Sequence, residues 1–146
     1  MYETILVPTD GSAGAGAATD LAVDLARQYD AAVRALFVVD TTALPADAAA
    51  AYVDDALEEI GEEATAAVRD RAEAAGVTVA ATDIGYGAPH RQILEYAEDN
   101  GVDLIVIGTH GRRGIDRLLM GSVAEKVVRL SPVPVLTTRA AEEQAE

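Results

Sequence analysis

Four glycines, Gly108, Gly111, Gly114 and Gly121, fall within fourteen residues and lead to a hydroxyl, Ser122, at a predicted helix start. Glycine leaves its backbone N–H open to close approach, and the first amides of a helix lack intrahelical acceptors and carry positive partial charge. Together they suit an oxyanion, phosphate above all. The segment 108–129 also contains His110, Arg112, Arg113, Arg117, Lys126 and Arg129 against Asp116 and Glu125, and so holds five of the eleven Lys and Arg residues. A surface loop whose arginines offset an acidic protein would have the same composition. A second stretch, Pro8-Thr9-Asp10-Gly11-Ser12, offers a carboxylate and two hydroxyls directly after an apolar run. Asp10 reads either as a ligand-side carboxylate or as a turn residue satisfying local amides. Ser122 suits a helix cap and a ligand-side hydroxyl equally. His110 is a ligand neighbour or a solvated loop residue, and His90, beside Pro89, reads as a helix-entry residue. Two histidines are too few for a metal cluster.

Both stretches need a scaffold that brings them to one place. Residues 3–7 and 32–39 read as strands, and 14–29 between them carries Ala18, Leu21, Ala22, Leu25 and Ala26 at helical spacing behind a predicted Ser12 N-cap. A polar connection over 41–47 leads into an Ala- and Glu-rich helix ending at Gly76. Then follow a strand over 77–84, a helix over 89–100 stopped by Gly101, and a strand over 102–107. That last run is apolar on both faces, as expected of a central strand covered by helices on each side. A helix over 119–130 and a strand over 133–138 complete five strands and four helices in strict alternation. Right-handed crossovers then give a single α/β domain with a doubly wound parallel sheet, and 140–146 reads as a solvated tail. Ligands of such sheets bind beyond the carboxyl ends of the strands, where the two polar stretches fall.

Composition narrows the partners. With 25 acidic against 11 basic residues the net charge is -14, which opposes binding to nucleic-acid backbones and anionic membranes. No apolar run approaches the roughly 20 residues of a membrane span. The N-terminal residues read as a first strand rather than a signal peptide, so the expected location is the cytoplasm. Without cysteine, thiol catalysis and thiolate metal sites are excluded.

Gly108-Thr109-His110-Gly111, nine further residues and then Gly121-Ser122 match the G-x2-G-x9-G-[ST] pattern, and here the chain resembles the ATP-binding branch of the universal stress protein family. The resemblance extends to Ile5-Leu6-Val7-Pro8-Thr9-Asp10-Gly11-Ser12, similar to the family's opening strand and acidic turn, and to Val133-Pro134-Val135-Leu136, similar to its closing strand. It spans residues 1–139. It implies a Rossmann-like sheet of the adenine nucleotide alpha hydrolase type, strand order 3-2-1-4-5. It further implies that Gly108, Gly111, Gly121, Ser122 and the Val123 amide hold the triphosphate and ribose of ATP, or of AMP or a related adenine nucleotide. Thr109, His110 and Arg112 lie within the same stretch. Pro8, Thr9 and Asp10 would line the opposite wall, Asp10 either lying near the ribose or holding a phosphate-bound Mg2+ through water, and the Val38 backbone would meet the adenine edge. The family's histidine-like position before that valine is Phe37 here, a departure expected to affect packing more than binding. Residues 133–137 are the implied homodimer seam. The implied role is a nucleotide-dependent regulatory or stress-response dimer with protein partners that the sequence does not name. A stress-type domain working through protein contacts alone is the alternative.

Other nucleotide readings fit less well. Gly14-Ala15-Gly16-Ala17-Ala18-Thr19, with Asp40 further on, resembles a dinucleotide fingerprint, yet Gly14 comes seven residues after Val7 and Thr19 replaces the third glycine. These glycines are better read as allowing a helix to pack closely on the sheet. A P-loop sequence is absent. No paired general base and electrophilic stabiliser stands out, so binding rather than turnover is expected, with slow ATP hydrolysis or self-phosphorylation left open. The acidic surface with Lys126 as the sole lysine resembles that of cytosolic proteins from high-salt organisms. On that reading the melting temperature rises between low and molar KCl; an unchanged value in a thermal-denaturation series contradicts it.

Overall fold

Alternating runs of aliphatic residues and amphipathic helices assemble as the pattern predicts. The computed structural model describes residues 1–42, 55–109 and 120–139. Its elements are β1 (Thr4–Pro8), α1 (Ala13–Tyr29), β2 (Ala32–Asp40), α2 (Asp55–Ala74), β3 (Val79–Gly87), α3 (Pro89–Asp99), β4 (Leu104–Gly108), α4 (Ser122–Leu130) and β5 (Val135–Thr138). The five strands form one sheet in the order β3-β2-β1-β4-β5, every neighbouring pair parallel. The expected connection over 41–47, the start of the second helix, Leu119 and the tail 140–146 fall wholly or partly outside the described residues.

Strand alternation divides the core into two layers. Ile5, Val7, Val33, Ala35, Leu104 and Val106 face Ala18, Ala22, Val68 and Ala72 of α1 and α2. Leu6, Leu36, Ile105 and Ile107 face Ile93, Ala97, Ala124 and Val127 of α3 and α4. β1 and β4 are therefore buried on both sides, which is why their sequences are continuous apolar runs. Each fully buried aliphatic side chain contributes roughly 1.5–3 kcal/mol. Phe37 is buried with Val39 and Ala64 against α2, and a Cβ at Gly61 would lie 2.8 Å from its ring. The departure at Phe37 is thus a packing feature.

Three helices end in the same way, and this shifts the strand starts from those expected. Asp30, Gly76 and Gly101 have φ of 56°, 78° and 63°, in the left-handed region. The next residues, Ala31, Val77 and Val102, donate their amides back to Ala26, Ala72 and Ala97 at 2.8–2.9 Å and are buried. This is the six-residue helix closure in which a hydrophobic residue past the end seals the last turn. Val77 and Val102 consequently belong to helix closures, and β3 and β4 begin two residues later than their apolar character suggests. β3 also runs on to Gly87 because it pairs with β2 as far as Asp40. β5 starts at Val135 because Val133 is held in a turn, its amide and carbonyl both bonded to the Ser131 hydroxyl.

α1 presents small residues to the sheet. Gly14, Ala15, Ala18, Ala22 and Ala26 are buried, and the Ser12 hydroxyl caps the helix by accepting the Ala15 amide at 3.3 Å. The closest approach is at the end of β4, where a Cβ on Gly108 would lie 2.7 Å from both the carbonyl carbon and the oxygen of Gly14. Real side chains do not occupy such space, so glycine at 108 is a condition for β4 to end against the first turn of α1. Gly14 is buried at that contact through its carbonyl. Gly16 differs, since a Cβ there would meet only the Arg71 guanidinium at 3.5 Å. Gly108→Ala is therefore expected to lower stability by roughly 1–3 kcal/mol through overpacking. Gly16→Ala should raise it by roughly 0.5–1 kcal/mol through reduced chain entropy. Denaturant unfolding of both variants checks the pair; a Gly108→Ala protein as stable as the parent would contradict the close approach.

Candidate functional site

The chain leaves β1 outward to β2 and β3 on one side, while β4 and β5 lie on the other, so the strand order reverses between β1 and β4. In open sheets of this kind ligands bind at such a reversal, beyond the carboxyl ends of the strands. β2 continues past the end of β1: Pro8 is level with Leu36, and β2 extends to Asp40. Val38, half-buried, lies on this projecting wall in register with Gly85.

The turn after β1 is held by its own polar groups. The Thr9 amide donates to the Leu36 carbonyl at 2.9 Å, and the Thr9 hydroxyl accepts the Gly11 amide at 3.1 Å. One Asp10 carboxylate oxygen accepts the Ser12 amide at 2.9 Å, and Gly11 takes φ of 80°. Asp10 thus has a definite turn role, and the same turn delivers Ser12 to cap α1.

After β4, Thr109 and Gly121 meet although the segment between them is long. The Gly121 amide donates to the Thr109 carbonyl at 2.5 Å. Thr109 in turn donates both its amide, at 2.8 Å, and its hydroxyl, at 3.2 Å, to the Thr138 carbonyl at the end of β5. α4 then begins. Its N-cap is Gly121, in an extended conformation and without a side-chain capping bond, so Ser122 is the first helical residue rather than the cap. The first helical bond made by this turn runs from the Glu125 amide to the Gly121 carbonyl at 2.9 Å. The amides of Ser122, Val123 and Ala124 precede it and are the donors that intrahelical bonding leaves unsatisfied. Gly121 therefore contributes an absent side chain, and its own amide is engaged by Thr109.

Pro8, Thr9, Asp10, Gly108, Thr109, Gly121, Ser122 and Val123 are thus gathered at the carboxyl ends of β1 and β4. His110, Gly111 and Arg112 lie outside the described residues. Of the segment's basic residues, Lys126 is exposed on α4, and Arg129 pairs with Glu125 at 3.1 Å one helical turn away. Among the described residues no group of three His, Cys, Asp or Glu side chains is placed to hold a metal. Nor is any described helix long and apolar enough to cross a membrane. Two shallow grooves, of about 400 and 470 Å³, lie elsewhere, one bordered by Asp83, Tyr96 and Asn100 and the other by Glu59, Arg69 and Thr82. In the first, the Tyr96 hydroxyl donates to Asp83 at 2.5 Å. Burial, and then that bond, raise the Tyr96 phenol above its usual range.

A family model described as the universal stress protein family matches residues 1–139. The chain belongs to the universal stress protein family. A universal stress protein of Methanocaldococcus jannaschii is 39% identical over 142 residues, covering 95% of this chain and 83% of that protein. The fold matches that of the universal stress protein UspA from Lactobacillus plantarum with a TM-score of 0.79 at 35% identity, covering 94% of this chain and 98% of that one. It also matches a universal stress protein solved in complex with cAMP, with a TM-score of 0.71 at 29% identity, over 96% of this chain and 98% of that one. The Rossmann-like sheet with its 3-2-1-4-5 order agrees with that assignment.

The sequence reading missed two features of this site. Thr138 carries no chemical signal, because only its backbone carbonyl takes part. The contact between Gly108 and Gly14 joins residues from separate glycine-rich stretches that had been weighed independently.

Proposed function

We propose that this protein binds ATP or a related adenine nucleotide in the crevice between β1 and β4 and acts in the cytoplasm as a nucleotide-dependent regulatory dimer. The observation that carries the reading is the start of α4. There the N-cap, Gly121, has no side chain, and the amides of Ser122, Val123 and Ala124 precede the first helical bond, at the carboxyl end of β4. Such a terminus favours phosphate through its exposed N–H groups and its dipole. The phosphates are assigned to the amides of Ser122 and Val123 and the Ser122 hydroxyl, with Gly121 leaving room for close approach, Gly108 ending β4 against α1, and Gly111 included from the sequence motif. Pro8, Thr9 and Asp10 form the facing wall, and the Val38 backbone the adenine edge. Thr109 is included beside them, and His110 and Arg112 are included from the sequence motif.

Mg2+ fits this donor set only as a companion of the phosphates. Asp10 supplies one hard oxygen donor, and Mg2+ usually keeps several waters while sharing one or two carboxylates with substrate phosphates. The net charge of -14 favours delivery of the nucleotide as its magnesium complex, since that complex is less strongly repelled. The relative solved with cAMP supports an adenine nucleotide as the ligand class.

For the dimer, β5 has β4 as its one neighbour in the sheet, and Leu136 on it is 39% exposed. An apolar edge strand is a template for pairing, and a second copy of the same strand, through residues 133–137, would cover it. Leu136→Lys should then shift the protein from dimer to monomer in sedimentation velocity without lowering its helix content. A parent that sediments as a monomer rejects the dimer.

The binding site itself is tested at Gly121. A valine there places branched carbons where the phosphate must approach, and calorimetric titration should show ATP affinity falling at least about tenfold, or 1.4 kcal/mol. An unchanged affinity for Gly121→Val would remove the phosphate assignment, and a folded parent that binds no purine mononucleotide would leave a domain working through protein contacts alone.

A further inference from the structure

We infer that Thr109 is a positioning residue that ties the edge strand β5 to the turn opening α4, so that the order of β5 sets the placement of the helix-start amides. This rests on the nucleotide reading of the same crevice, to which it adds a linkage. Thr109 is 9% exposed, and its polar groups point in two directions. Its amide and hydroxyl converge on one acceptor, the Thr138 carbonyl, at 2.8 and 3.2 Å. Its carbonyl takes the Gly121 amide at 2.5 Å. The path from Thr138 through Thr109 to Gly121 is therefore a continuous chain of hydrogen bonds from the last residue of β5 to the residue capping α4.

The placement makes the tie consequential. Gly108, immediately before Thr109, is pressed against Gly14, so the backbone at 108 has little room to move. Beyond it, Thr109 is the described residue through which β5 and the α4 turn are joined by hydrogen bonds. β5 is short and lies at the sheet edge, where strands fray most readily, and its final carbonyl is clasped by two donors from one residue. Loss of the hydroxyl leaves the single amide bond to Thr138 and loosens the Gly121 turn. Ligand binding at the helix start then has to supply the lost order, at a cost in affinity. By reciprocity, a ligand that holds the turn in place steadies β5, and pairing of β5 with a partner strand strengthens ligand binding.

The test uses the full chain, Thr109→Val and Thr109→Ser. Valine keeps the shape and removes the hydroxyl; serine restores it. In amide hydrogen exchange without nucleotide, the Gly121 amide of Thr109→Val should exchange roughly five to ten times faster than in the parent, a hydrogen bond's worth of protection. The Leu6 and Ile105 amides should be unchanged, and Thr109→Ser should return Gly121 to parental protection. ATP affinity should fall by a similar factor in Thr109→Val and recover in Thr109→Ser. Equal Gly121 exchange in parent and Thr109→Val overturns the inference. So does equal acceleration at Leu6 and Ile105, which would make Thr109 a general stabiliser, and so does faster Gly121 exchange with undiminished ATP affinity. A parent that binds no ATP defeats the nucleotide reading separately, while the exchange pattern still decides whether Thr109 holds the turn.

Discussion

The end of β4 depends on one contact between two backbones. β4 can end against the first turn of α1 because residue 108 has no side chain, and a Cβ there would fall 2.7 Å from Gly14. This approach sets the depth at which Thr109 leaves the sheet. The Thr138 carbonyl then fixes Thr109, and Thr109 fixes Gly121. On the facing side, Ser12 caps the same helix α1 while Asp10 and Thr9 close the turn that delivers it. Both walls are thus referenced to the N-terminus of α1, and a shift of that helix would displace both.

The proposed site would work against the electrostatics of the whole molecule. A protein with a net charge of -14 repels phosphate over most of its surface. Backbone amides at a helix start offer a local receptor that needs no side-chain cation, and their effect is confined to about one helical turn. Among the described residues, Arg129 of the basic segment is paired with Glu125 away from the crevice. The described part of the site is therefore built from amides and hydroxyls, with Asp10 as its carboxylate.

Much of this was legible in the sequence, for physical reasons. The alternation of strands and helices follows from apolar periodicity, and the runs at Ile5-Leu6-Val7 and Leu104-Ile105-Val106-Ile107 mark strands buried on both faces. The two polar stretches after β1 and β4 follow from where ligands sit on such a sheet. Strand starts were less legible. A valine sealing a helix end and a valine opening a strand are both apolar, and Val77 and Val102 proved to be the former. Serine favours the cap position, which makes Ser122 a natural candidate, whereas the chain places Gly121 there. The link from Thr109 to Thr138 had no sequence signature, since its acceptor is a carbonyl that every residue carries.

The proposal joins a ligand to a place: adenine nucleotide, held by the helix start of α4 against the β1 turn. Titration of isotopically labelled protein with magnesium ATP, followed by amide chemical shifts, locates the ligand most directly. The largest shifts are expected at Thr9 to Ser12 and at Ser122 to Ala124. Shifts centred on the groove beside Asp83, Tyr96 and Asn100, or none at all in folded protein, would contradict it.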